Sequence, residues 1–180
     1  MGVLRKMRRL HEFRSDERGV SIVEFALILP VFAMMFFATI EVSFLMLVDR
    51  KVTNTASTLG DLVARATAVN NDELDDIFAA SNALFEPYDS STAKMRVTSV
   101  EMVKGSAKVL WSKAQNIPAY AKDTVITVPS GLMQNGDSIV MAEVSYDYDS
   151  TLGYFLPSAK TLDEVFYLRP RRTDKVEKTD

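Results

Sequence analysis

The chain has no cysteine and a single histidine in 180 residues. Without cysteine there is no disulfide framework and no thiolate metal site. The stability of any exported domain must then come from its apolar core, and a chain of this length is large enough to build one. The one histidine, His11, lies near the N-terminus. That excludes histidine-based metal clusters and leaves a Ser-His-Asp triad without a base. No glycine-rich phosphate loop, His-x-x-x-His pair or Gly-x-Ser-x-Gly turn occurs. A net charge of −3 offers no basic surface of the kind that nucleic acid requires. The chain is therefore expected to be neither an enzyme nor a nucleic-acid-binding protein, and to need no cofactor. No internal repeat or low-complexity segment is visible.

Basic residues are also missing from Val20 to Val48, where Glu24 and Glu41 are the only charges. Phe25 to Ile40 is one uncharged run, and Val42 to Val48 adds a second. A helix over 20–48 would be about 43 Å long at the standard rise. The hydrocarbon layer is about 30 Å thick, so one transmembrane helix fits, with its ends at the two interfaces. Carboxylates are costly at depth, which places Glu24 near one interface and Glu41 near the other. Pro30 lies inside this span; bilayer helices accommodate such a residue because neighbours satisfy the freed carbonyl.

Residues 1–19 carry Arg5, Lys6, Arg8, Arg9, Arg14 and Arg18 against Glu12, Asp16 and Glu17. A basic leader directly before a span holds the N-terminus in the cytoplasm and places residues 49–169 outside it. A secretory signal peptide would share the leader but has a shorter apolar core, and no small-x-small site closes this run. An uncleaved single-span anchor remains a simple alternative.

Beyond the span, Val52, Ala56, Leu59, Val63 and Ala66 form an apolar stripe at helical spacing. This segment either continues the span or forms a second helix after a break near Asp49-Arg50-Lys51. Asn71 is expected to cap a further helix, with Asp72 and Glu73 favourable against the dipole of its first turn. Leu74, Ile77, Phe78, Leu84 and Phe85 supply its buried face, and Pro87 ends it. Strands follow: Met95–Val103 and Ala107–Ser112 as a hairpin about Lys104-Gly105-Ser106, then Thr124–Val128. In the first of these the apolar positions switch between Val97 and Val100, which suggests a bulge. The clearest strand sets Val140, Ala142, Val144, Tyr146 and Tyr148 on one face and Met141, Glu143, Ser145 and Asp147 on the other. Val165–Arg169 adds a last strand, and residues 170–180 read as a solvated charged tail. The expected fold class is α+β: two helices packed on an antiparallel sheet of four to five strands, outside the membrane. A fragment starting near Lys51 is expected to contain that core.

Little in this domain suggests chemistry. Asp72, Glu73, Asp75 and Asp76 lack the alternating ligands and glycine of a calcium loop, and read as a solvated helix start. Asp147 and Asp149 share a strand face and suggest at most a weak cation site.

The junction of leader and span is more specific. Arg18-Gly19-Val20-Ser21-Ile22-Val23-Glu24-Phe25 resembles the processing site of type IV prepilins. Together with Ala26-Leu27-Ile28-Leu29-Pro30 it resembles the TadE/TadF pseudopilins of tight-adherence (Flp) pilus systems, most densely over residues 15–65. The resemblance implies a pilin-like fold and cleavage between Gly19 and Val20 by a membrane aspartyl prepilin peptidase. Glu24 would then be the fifth residue of the mature chain, and Glu24 and Phe25 would serve peptidase recognition and assembly. It also implies pairing of Glu24 with a new α-ammonium, mostly charged at neutral pH, on a neighbouring subunit. The expected partners are the prepilin peptidase, other pilins or pseudopilins, pilus assembly proteins and membrane lipid, in a bacterial inner membrane. The expected function is that of a minor pseudopilin of a tight-adherence pilus. The alternatives are an uncleaved inner-membrane scaffold of a secretion or pilus machine and, from another class, a membrane-tethered periplasmic enzyme.

Overall fold

The computed structural model describes residues 18–150, 153 and 160–179. The chain divides into two units, one up to Val42 and one from Ser43 onward. One helix, α1 (Arg18–Arg65), enters both without interruption, and Pro30 lies inside it. No break falls at Asp49-Arg50-Lys51, so the whole described chain has two helices rather than a span plus two.

In the first unit α1 has almost no packing partner among the described residues. Its apolar side chains from Val20 to Phe37 are exposed all round, apart from the half-buried Ala33. A helix apolar on every side is suited to lipid or to other apolar helices, and this stretch is long and apolar enough to cross a membrane.

The second unit holds the hydrophobic core. After α1 come β1 (Ala68–Val69), α2 (Asn71–Ala83), β2 (Lys94–Val103), β3 (Ser106–Gln115), β4 (Val125–Ile126), β5 (Ser138–Tyr148), β6 (Lys160–Leu168) and β7 (Glu177–Lys178). Strands β2 to β6 form one antiparallel sheet in the order β4-β3-β2-β5-β6. Of the predicted stripe, Val52, Ala56, Leu59 and Val63 are fully enclosed, with Val48 one turn earlier, while Ala66 lies just past the helix end and is half-buried. They share a core with Met95, Val97, Val140, Ala142, Val144 and Tyr146 from the inner face of the sheet. Gly60 sits where this helix comes closest to the sheet. A β-carbon there would collide with Leu168 and lie 3.2 Å from that of Ala142, so its role is close approach.

The alternation along β5 holds, and both of its faces are used. Ile139 and Met141 point away from the main core into a smaller one with Val100, Ala107 and Met133. This changes the reading of the bulge. A register shift does fall between Ser99 and Val100, but β2 stays in continuous register with β5. The extra residue is Leu110 of β3, between Val109 and Trp111. Val100 follows the normal period-2 alternation to the second core.

Helix α2 is capped by Asn70, one residue before the expected cap. The Asn70 side chain accepts from the Glu73 amide at 2.8 Å, and the Glu73 carboxylate accepts from the Asn70 amide at 3.0 Å. This reciprocal arrangement requires the acid three residues after the cap, which selects Asn70 over Asn71. The helix ends at Ala83, before Pro87. Phe85, beyond the helix end, is buried and stacks on Tyr146 with ring centroids 5.1 Å apart. Lys51 of α1 donates to the carbonyls of Leu84 and Glu86 at 3.0 and 2.6 Å, fastening this loop to α1.

The charged tail is not solvated throughout. Val176 is fully buried, and β7 pairs in parallel with β1 through Ala68↔Glu177 and Val69↔Lys178. The indole N–H of Trp111 donates to the Val176 carbonyl at 2.8 Å, and the Arg171 amide donates to the Ala64 carbonyl at 2.9 Å. The Arg171 guanidinium also pairs with Asp61, which Arg65 approaches from its own helix. One apolar residue among charges is invisible to a composition reading, yet here it fills the space beside β1.

Val48 is enclosed and Leu45 packs against the same core, so a fragment beginning at Lys51 would lack these two contributions. A 43–180 fragment is expected to be more stable than 51–180 by about 2–3 kcal/mol, the usual contribution of one enclosed aliphatic side chain. Urea titration followed by circular dichroism measures the difference. Equal midpoints would mean that this turn of α1 contributes nothing.

Candidate functional site

The residues singled out at the start of the span occupy the first turns of α1. Its first turn carries no acidic residue. Val20 and Glu24 are four apart and share a face, while Phe25 lies on the next face, 65% exposed. Gly19, Val20 and Glu24 are exposed as well. From Glu24 to Glu41 the helix rises about 26 Å, close to one hydrocarbon thickness. Unlike Glu24, Glu41 is buried.

Gly19 has no structural reason within the described fold. It lies inside a helix, where glycine is the weakest former after proline. Its φ is not positive, and a β-carbon there would meet nothing within 4 Å. Gly60 shows the contrast, a glycine explained by its neighbours. Whatever makes glycine useful at position 19 therefore lies outside these contacts.

The polar groups of the second unit are mostly paired with each other. Arg96 makes a two-pronged pair with Glu143 at 2.6 and 2.8 Å, and donates to the Tyr120 hydroxyl at 2.6 Å and the Pro118 carbonyl at 3.0 Å. Its guanidinium carbon lies 3.7 Å from the Tyr120 ring centre. The hydrogen bond to Glu143 holds the Arg96 pKa above its ordinary value against partial burial. Asp147 accepts from Lys94 and from Thr161, each at 2.8 Å. These bonds, that to Lys94 first, keep its carboxyl below the usual carboxylate pKa. Both oxygens of Asp147 are thus engaged by the protein itself. Among the described residues no group of three or more histidine or acidic side chains is placed to hold a metal. Asp75 of the acidic α2 start pairs with Lys113 at 3.0 Å. These contacts lace neighbouring strands and loops together, and Lys94, Arg96 and Glu143 also line a cleft beside Asp163 and Glu164.

The region that stands out for function is therefore the exposed apolar half of α1 with its one carboxylate near the start. No curated protein and no solved structure matches the chain, so the expected likeness to pilins rests on no structural relative. Residues 19–59, which begin at Gly19 and run through α1 almost to its end, match the family model of TadE-like proteins.

Proposed function

We propose that this chain is a minor pseudopilin that helps assemble or initiate a tight-adherence (Flp) pilus, after a prepilin peptidase removes residues 1–19. The observation that carries this reading is the start of α1. A glycine that the described fold does not require stands five residues before a carboxylate, on the stretch of α1 from Val20 to Phe37 whose apolar side chains are exposed. The TadE-like match begins at that same glycine. In this reading Gly19 and Val20 flank the cut, and Glu24 and Phe25 serve recognition and assembly. Its partners are the peptidase, other pilins or pseudopilins, pilus assembly proteins and lipid. In this reading the chain is not an enzyme.

The basic leader before the span supports a cytoplasmic N-terminus and a periplasmic second unit. A reporter active only outside the cytoplasm is expected to work when fused after Ser112; activity of a cytoplasm-only reporter there would overturn the orientation. The decisive measurement is the mature N-terminus. Mass spectrometry of protein from cells with an active prepilin peptidase is expected to find Val20 first. A chain beginning at Met1 or Gly2 would leave the uncleaved inner-membrane scaffold as the reading.

A further inference from the structure

Phe44, Met46 and Leu47 are exposed on the last uncharged stretch of α1, and Asp49, Arg50 and Lys51 follow directly after Val48. Where a helix leaves a bilayer, such a change from apolar to charged residues marks the headgroup layer. On the same turn Leu45 packs against the main core of the second unit, and Val48 is enclosed in it. That core therefore starts where the apolar surface of α1 stops, with no length of bare helix between them.

Strand β6 shows which end of the sheet lies at this level. Thr53 donates to Glu164 at 3.2 Å, and Leu168 is the neighbour of Gly60. From Glu164 to Leu168 the strand rises about 13 Å, and from Thr53 to Gly60 the helix rises about 10 Å. β6 therefore runs in the direction of α1, and an equal step back from Glu164 brings Lys160 to the level of Met46. Tyr148 of β5 pairs with Lys160, so the C-terminal end of β5 lies there too. A separate set of contacts agrees: Lys51 holds the Leu84 and Glu86 carbonyls, and Phe85 between them stacks on Tyr146.

We propose that this end of the second unit, marked by Tyr148, Lys160 and Leu84, rests on zwitterionic phospholipid headgroups where α1 leaves the membrane. The inference rests on reading α1 as a membrane span, and it does not need cleavage at Gly19. Arg50 and Lys160 are exposed, as are Asp49 and Asp149. A zwitterionic headgroup offers a phosphate to the first pair and an ammonium to the second. Tyr88, half-buried with its ring centre 5.9 Å from the Lys51 ammonium, is of the residue type that favours this layer. Each such contact is weak in water, but α1 makes all of them intramolecular, so none has to recruit the domain from solution. The other end of the sheet, with the hairpin about Gly105 and the turn at Gln134, points away from the lipid.

The absence of cysteine allows a single label at a chosen position. Full-length Lys160→Cys, Leu84→Cys and Gln134→Cys chains each carry a bimane fluorophore in phosphatidylcholine vesicles, with a nitroxide on the headgroup of some lipids. β5 alone covers about 33 Å, and Gln134 lies beyond its far end. The labels at positions 160 and 84 are expected to lose most of their fluorescence, while the label at 134 keeps nearly all of it. Equal quenching at the three positions, strong or weak, overturns the contact. A fourth chain, Phe36→Cys, is read with nitroxides placed midway along the acyl chains. A label that stays bright there overturns the span reading instead.

Discussion

Gly19→Val is expected to leave residues 1–19 attached, giving a chain heavier by their mass than the processed wild type. The structure makes this result diagnostic, because a side chain at position 19 has open space around it and no positive φ to strain. The substitution therefore leaves the fold of the chain as it is and acts on whatever must fit closely around the glycine. Glu24→Ala is expected to separate from it. Residue 24 lies beyond the cut, so processing continues at least in part, while surface piliation fails. The physical reason is an ammonium on Val20 left without its counter-charge in a low-dielectric setting, a loss of about 3–5 kcal/mol where the pair is buried. Intact mass and N-terminal sequencing read the first effect, and counting of surface pili reads the second. Normal cleavage of the Gly19→Val chain would remove the argument for a peptidase site. Normal piliation by Glu24→Ala would remove the argument for a charge pair.

Val176→Asp is expected to lower the stability of the second unit by about 3–4 kcal/mol, combining lost burial with an unpaired buried charge. Val176 is fully enclosed, and its carbonyl takes hydrogen bonds from the Trp111 indole at 2.8 Å and the Ser99 hydroxyl at 3.3 Å. Asp174→Val, two residues away and exposed, is expected to change stability by no more than about 0.5 kcal/mol. Urea titration with Trp111 fluorescence reports both, since Trp111 is the only tryptophan in the chain. Equal midpoints for the two variants would mean that β7 contributes no more than a free tail.

Gly60 sets the two kinds of information side by side. In the sequence it reads as a weak point in a helical stripe; in the fold it is where α1 meets Leu168 and Ala142. Periodicity shows which side of a helix is apolar but not what lies against it. The stripe Val52, Ala56, Leu59 and Val63, the alternation along β5 and the hairpin about Lys104 and Gly105 are all local patterns, and each forms as its spacing predicts. Gly19 and Glu24 are legible for the same reason: they form a linear pattern a few residues apart on one helix.

What sequence alone determined here is whatever depends on neighbours a few residues away: the apolar helix with its single early carboxylate, the α+β class and the placing of most strands. The remaining features depend on residues far apart in the chain. Leu110 becomes the bulge because β3 must keep register with a β2 that is itself locked to β5. Met141 and Val100 find a second core because the loop carrying Met133 covers the outer face. Asp147 is spoken for by Lys94 and Thr161 from adjacent strands. The charged C-terminal segment becomes a strand because Val176 fits beside Trp111 and β1 offers an open edge to Glu177 and Lys178. A local pattern can specify a helix or a strand, but burial and pairing are free-energy gains shared between distant segments, and they exist only once the chain has brought those segments together.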